Sequence, residues 1–180
     1  MKYVKETRIN AAPAEVFAFH ESPQALESLI PPWENMQVVE SAGSLEVGSR
    51  VVLQGRAGVI PLRWVAVHTE YDPPHLFADQ QESGPFAYWY HRHLVLDAEA
   101  EDDSDTDNES KQAGGGGTRL RDEVAFKPPM GLIGRWLGGW LIRRKLERMF
   151  AYRHETTRRL VESGEWRHPE NQASRQPAVA

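Results

Sequence analysis

The stretch IRRKLERMFAYRHETTRRLV, residues 142–161, is the clearest helical pattern in the chain. Ile142, Leu146, Met149, Phe150, Arg153, Thr157, Leu160 and Val161 recur at steps of three and four and so share one face. Arg143-Arg144-Lys145 reads as the solvated face of the same helix. The pattern begins near Leu132. Gly134, Gly138 and Gly139 predict a short leading turn and a bend near Gly138, followed by a helix over 140–163. Gly164 is a suitable stop, and the polar residues beyond it, with two prolines, predict a disordered tail over 164–180.

Upstream of this helix most of the chain reads as strand. Residues 2–9 alternate. Asn10 to Phe17 is a helix start, with Pro13 in the first turn, where its missing N–H costs nothing, and Glu15 against the positive helix end. Ser22-Pro23 opens a second short helix with Leu26, Leu29 and Ile30 on its apolar side, ended by Pro31-Pro32-Trp33. Strand-like runs follow at 35–41, 49–56, 60–71, 75–82, 86–97 and 118–127, separated by turn residues such as Gly43, Gly48, Gly58, Pro73-Pro74 and Gly84-Pro85. Residues 98–117, acidic and then glycine-rich, predict a flexible hairpin loop that either solubilises the protein or attracts a basic partner. The order predicts an α+β domain over 1–163: a curved antiparallel sheet of about seven strands wrapped on a long C-terminal helix, with two short helices after strand 1. One helix cannot fill the concave face of such a sheet, so a cavity for an apolar small molecule is expected.

Composition narrows the function. A chain of 180 residues with 40% hydrophobic and 26% charged residues suits one domain with a real core. A net charge of −5 argues against nucleic acid as a partner. The absence of cysteine excludes thiolate metal ligands and cysteine nucleophiles and fits a reducing cytoplasm. Met1 to Glu6 is charged and alternating, unlike a signal peptide. The apolar runs are broken well short of a membrane span, so no stable membrane insertion is expected. Trp136, Leu137, Trp140 and Leu141 crowd the start of the last helix, either as core or as a cavity mouth that touches a membrane surface transiently.

The chemistry-bearing residues gather on one hairpin. In 118–127 the even positions Leu120, Val124 and Phe126 are apolar and carry Asp122 inward with them, while Arg119, Arg121, Glu123 and Lys127 face out. If Asp97 pairs with Thr118, His93 meets Asp122, His91 meets Val124 and Trp89 meets Phe126. A two-residue slip puts His91 at Asp122 instead, and in either register a His–Asp pair sits on the inner face. A carboxylate beside an imidazole raises its pKa and fixes its tautomer, giving either a general acid–base pair or a structural pair completed by Arg153. His91-x-His93 also has metal-ligand spacing, but a third ligand is not evident; His68, His20 and Asp122 are the candidates, and neither a metal nor a cofactor is assigned. Trp33, Trp64, Trp89, Phe77, Phe86, Tyr88 and Tyr90 are expected as core or cavity aromatics.

The run Trp89-x-His91-x-His93-x-Val95, then Thr118-x-Leu120-x-Asp122-x-Val124-x-Phe126-x-Pro128, Met130-Gly131-x-x-Gly134 and Met149-Phe150-x-Tyr152-Arg153 resembles one bacterial branch of the START-like (SRPBCC, polyketide cyclase/dehydrase and lipid transport) superfamily. The resemblance covers about residues 1–163. It implies a helix-grip fold and binding or transport of a lipid, isoprenoid quinone or polyketide-like molecule. The alternatives are a cyclase or dehydratase using His91 or His93 with Asp122, and an interaction protein with a vestigial cavity. The residues expected to touch ligand are Trp64, Trp89, His91, His93, Leu120, Asp122, Val124, Leu146, Met149, Phe150 and Arg153. In some relatives a similar domain sits beside a short-chain-dehydrogenase-like domain. Replacing residues 99–116 by a short turn is expected to change the unfolding free energy by less than about 1 kcal/mol, because loop-closure entropy varies slowly with length. Urea denaturation of the shortened chain checks this, and a collapse of folding would mean that the acidic segment packs.

Overall fold

A run of strands joined by short turns can only pair antiparallel, and that is the arrangement in the computed structural model. The model describes residues 1–98, 117–128 and 131–168, leaving aside the side chains of 57 and 131–138. In chain order the elements are β1 (Lys2–Ile9), α1 (Pro13–Glu21), α2 (Ala25–Ser28), β2 (Met36–Ser41), β3 (Arg50–Ala57), β4 (Ile60–Asp72), β5 (Leu76–Ser83), β6 (Tyr88–Asp97), β7 (Thr118–Lys127) and α3 (Gly131–Ser163). The strands form one antiparallel sheet of seven in the order β1-β7-β6-β5-β4-β3-β2. The expected α+β helix-grip architecture is therefore the observed one. β1 closes the sheet beside the last strand, so α1 and α2 carry the chain across to β2 at the far edge.

Local sequence explains the joints. β3 and β4 meet in a tight hairpin in which Ala57 pairs with Ile60, and Gly58 adopts φ +65, a conformation L side chains rarely take. In β4 a bulge between His68 and Glu70 shifts the register against β5. Leu62, Trp64, Ala66 and His68 face the cavity before it, whereas Tyr71 packs its ring on Phe17 beyond it. β6 and β7 pair in the expected register, Asp97 with Thr118, His93 with Asp122 and Trp89 with Phe126.

Two apolar clusters hold α3 to the sheet. Tyr3, Trp89, Val124, Phe126, Leu146 and Phe150 form one. Ile9, Val16, Phe17, Phe19, Phe77, Val95, Leu120, Leu160 and Val161 belong to the other, where α1 meets the end of α3. Helix α3 thus lies over β1, β7 and β6 and leaves the concave surface over β3 to β5 open.

Several expectations need correction. α3 runs without a break through Gly138 and Gly139: a glycine costs a helix only about 1 kcal/mol, less than the amphipathic remainder returns. Residues 164–168, expected in a disordered tail, are folded against the domain. Gly164 ends the helix at φ 70, and its N–H donates to the Val161 carbonyl at 3.1 Å. A 3-10 turn, Glu165–Arg167, then brings Trp166 against Phe19 with ring centroids 6.1 Å apart. Gln24 Nε2 donates to the Trp166 carbonyl at 2.6 Å. The second short helix is a single turn. Trp33 is not core: it is 43% exposed, with the Arg148 guanidinium 4.2 Å from its ring centre. Tyr88 and Tyr90, on the even positions of β6, face outward, and the Tyr90 hydroxyl donates to Glu70. The expectations for 99–116 and 169–180 lie outside the described residues.

Phe150 is fully buried between the sheet and the histidines, so Phe150→Ala is expected to cost about 3–5 kcal/mol. Leu141→Ala, at a position 61% exposed, should stay within about 0.5 kcal/mol of the parent. Urea unfolding of the two variants measures both.

Candidate functional site

The site is built on the inner positions of β5, β6 and β7. Asp122 is 3% exposed, and a carboxylate that deep needs partners. Its Oδ1 lies 2.7 Å from His93 Nδ1 and 3.3 Å from His91 Nε2. Neither nitrogen is aligned with it as in a hydrogen bond. Its Oδ2 pairs with His154 Nε2 at 2.9 Å, and His154 Nδ1 meets the Thr7 hydroxyl at 2.9 Å. Three imidazoles from β6 and α3 therefore surround one carboxylate, and β1 holds the third imidazole from behind. Lys5, the cross-strand neighbour of Asp122 on β1, turns instead to Glu147 at 2.9 Å.

On the side away from Asp122, the two β6 histidines meet a second carboxylate. Asp79 Oδ2, on β5, is 3.4 Å from His91 Nδ1 and 3.9 Å from His93 Nε2. Burial alone would raise both aspartates; the surrounding imidazoles outweigh it and hold Asp79 below and Asp122 well below the usual carboxylate range. Burial lowers His91, but the charges of Asp122 and Asp79 win and raise it. His93 is pushed down to about 3, by burial first and by the neighbouring His91 second. Its ring stacks on Phe77 at 4.1 Å between centroids. Burial lowers His20 to about 4 and also lowers His68.

In front of Asp79, His91 and His93 opens a cavity of about 480 Å³. Leu53, Leu62, Trp64, Phe86, Trp89, Ile142, Leu146 and Met149 supply apolar wall, and α2 with Leu29 and Ile30 covers the other side. His20, His68, Asp79, His91 and His93 gather polar groups in one part of the wall. Of the residues expected to touch ligand, Trp64, Trp89, His91, His93, Leu146, Met149 and Arg153 line this cavity. Leu120, Asp122, Val124 and Phe150 do not, because α3 packs directly on β7, which covers the three β7 residues and buries Phe150 in the contact. Asp122 is an anchor behind the wall. Arg153 is not its partner: the guanidinium lies 5.6 Å from the Phe150 ring centre, and the adjacent His154 takes that place. Two site residues escaped the sequence reading. His154 continues the stripe Leu146–Phe150 at i+4, a signal that was available. Asp79 alternates with Phe77 on a short strand whose inward face shows only once its neighbours are in register. In the apolar cluster at the start of α3, Trp140 and Leu141 are exposed, at 70% and 61%.

A seven-stranded sheet gripping a C-terminal helix around an apolar cavity with a polar pole is a geometry with known relatives. The family model for polyketide cyclase / dehydrase and lipid transport matches residues 9–150. The chain belongs to this family. A norcoclaurine synthase from Thalictrum flavum superposes with a TM-score of 0.62 at 14% identity, over 92% of this chain and 96% of that one. A nucleoside-diphosphate sugar epimerase from Corynebacterium glutamicum gives 0.62 at 22% identity, over 86% of this chain and 28% of the epimerase. The di-domain ARO/CYC BexL of the BE-7585A biosynthetic pathway gives 0.59 at 16%, over 90% of this chain and 46% of BexL. At these identities the likeness is one of fold. No curated protein matches the chain. No described helix is long and apolar enough to cross a membrane.

The histidines make folding acid-sensitive. A histidine lowered in the folded state contributes stability that is present above its unfolded pKa, about 6.5, and is lost as pH falls toward the folded value. For His20 and His93 those values are about 4 and about 3. Each should remove about 1.4 kcal/mol per pH unit below pH 6.5. His91, raised, shifts the balance the other way only as pH rises above its unfolded pKa. Urea unfolding at pH 7, 6 and 5 should therefore show a steep fall, and His20→Gln should flatten it by about one proton's share. An unchanged slope in that variant would place the titration elsewhere.

Proposed function

We propose that the protein binds an apolar small molecule with an oxygen-bearing end, of the lipid, isoprenoid quinone or polyketide-like class, and acts in the cytoplasm as its carrier or sensor. The observation that carries this reading is the cavity: about 480 Å³ of mostly apolar wall with its polar groups gathered around Asp79, His91 and His93. That volume lies within the range of small-molecule sites, about 300–1,000 Å³, and it argues against a vestigial cavity. An apolar body would fill the space between Trp64, Trp89 and Met149. A carbonyl or hydroxyl at its end would meet the histidines. Lipid transport in the description of the family supports an apolar ligand.

A second reading is a cyclase or dehydratase acting in the same cavity. It is supported by the position of Asp79 and His91 at the wall, where a carboxylate and an imidazole 3.4 Å apart can exchange a proton with a bound molecule. In that case the acid–base pair is Asp79 with His91 or His93, and Asp122 acts through the histidines as a positioning residue. Such a step is an elimination or enolisation: a proton leaves carbon for the base, and the other group protonates the departing or enolate oxygen.

Native mass spectrometry of the purified protein, followed by solvent extraction, is expected to release one apolar molecule per chain. Ala66 lines the cavity on β4, so Ala66→Phe should fill it and weaken binding of an apolar fluorescent probe such as anilinonaphthalene sulfonate at least tenfold, leaving urea stability unchanged or higher. Equal probe binding by the variant would remove the cavity as the site. Conversion of the extracted molecule on re-incubation, abolished by Asp79→Asn, would select the enzyme reading.

A further inference from the structure

We propose that Asp79, His91 and His93 form a binding site for one divalent transition-metal ion of the zinc type, with its open coordination positions facing the cavity. This goes beyond ligand binding and does not depend on it. The candidate donor atoms of the three residues all lie within 4.8 Å of one another. Asp79 Oδ2 is 3.4 Å from His91 Nδ1 and 3.9 Å from His93 Nε2. Ligands about 2.0–2.1 Å from a tetrahedral zinc ion are separated from one another by roughly 3.3 Å, so the two Asp79 distances need only a small contraction, and the two imidazoles would turn toward each other on binding.

A buried carboxylate stands where ligating histidines need an outer partner, although no aligned hydrogen bond joins it to the rings. A histidine that binds metal through one ring nitrogen holds its other N–H against a carboxylate or carbonyl, which sets the tautomer and the ring plane. Here the nitrogens turned away from Asp79, His91 Nε2 and His93 Nδ1, both face Asp122 Oδ1, at 3.3 and 2.7 Å. Asp122 is fixed in turn by His154, and His154 by Thr7. His91 Nε2, His93 Nδ1 and Asp122 Oδ1 are all buried without an aligned hydrogen bond. An ion in front of the rings would draw the lone pairs outward and commit the inner N–H groups to Asp122.

Charge points the same way. Asp79 and Asp122 are two carboxylates in one buried cluster, and among the described residues the ion pairs of both run to histidines only. A dication with two neutral imidazoles balances them. Two imidazoles and one carboxylate suit zinc and neighbouring first-row ions rather than magnesium or calcium, which prefer oxygen alone. Three protein ligands leave coordination positions open, and all three residues line the cavity. An oxygen of a bound molecule would be able to reach the ion there.

The test uses the full chain, stripped with chelator and dialysed. Titration with Zn²⁺ in a calorimeter, and with Co²⁺ followed by its visible absorption, is expected to show one site per chain. Asp79→Asn and His93→Gln should each weaken Zn²⁺ at least tenfold and abolish the Co²⁺ spectrum, while His75→Gln, on an exposed turn, changes neither. Circular dichroism confirms that each variant is folded, and a variant that is not folded is replaced by Asp79→Ala or His93→Asn at the same position. Absence of stoichiometric binding, or equal affinity in the folded Asp79 and His93 variants, overturns the site. Binding of the apolar probe by the metal-free protein is read in the same samples: it is expected to persist, so a failure of the metal site is distinguishable from a failure of the cavity.

Discussion

A carboxylate with almost no exposure, held among three imidazoles, is the constraint on which the rest of this structure depends. Removing Asp122 from water costs several kcal/mol, and only correctly placed partners return it. The partners come from different parts of the chain: His91 and His93 from β6, His154 from α3, and Thr7 from β1 behind His154. Satisfying one group therefore fixes the hairpin register, the axial position of the helix and the closure of the sheet by β1 at once. Such a group contributes less to net stability than to uniqueness. A two-residue slip of β6 would put His91 opposite Asp122 and His93 opposite Leu120, and so would give up the 2.7 Å approach of His93 to the acid.

The same attachment creates the cavity. Because α3 is tied to β7 and β1, it covers Leu120 and Val124 and cannot also cover β3 to β5. The uncovered concave surface keeps its apolar residues, Leu53, Leu62 and Trp64 among them, facing space instead of a helix. α2 is one turn long and roofs this side without filling it. The polar nest lies on the boundary between the packed half and the hollow half: Asp122 and His154 on the packed side, Asp79 on the hollow side, and His91 and His93 shared. Burial and function are divided along the same line.

The fold was legible in the sequence because its signals are local. Period-two runs broken by glycine and proline define the sheet, a single helical stripe defines α3, and the parity of Asp122 with Leu120 and Val124 places the acid inside. The hairpin register stayed between two alternatives a slip of two residues apart, and the parity they share is what placed a His–Asp pair inside; the structure takes the one that pairs Asp97 with Thr118. What was not legible depends on long-range geometry. Arg153 and His154 are adjacent on the helix and both border its inner stripe; the choice between them turns on a rotation of the helix that the period alone leaves loose by one residue. Asp79 was hidden because a bulge at His68 and Glu70 shifts the β4 register, so the inward face of β5 could not be carried over from its neighbours. The division of Leu120, Val124 and Phe150 from the true cavity wall was hidden for a related reason. All of them are on the concave side, and only the docking position of α3 says which are covered.

The chemistry of the site consequently belongs to Asp79 more than to Asp122. Asp122 has no access to the cavity, so whatever it contributes reaches a bound molecule through the histidines. Its Oδ1 lies against one ring nitrogen of each, at 3.3 and 2.7 Å, and its charge acts on both rings. Asp79 stands on the cavity side of those rings and is partly open. With a proton between Asp79 and His91 the pole is a hydrogen-bonding end for an amphiphilic ligand. With an acceptor of suitable pKa in the ligand it is an acid–base pair. With a dication in place of that proton it is a Lewis-acid site. These states use one arrangement of the same side chains and differ in the cation that Asp79 shares with the two histidines. The arrangement is therefore conserved in geometry across all three, and the occupant of that shared position selects among them.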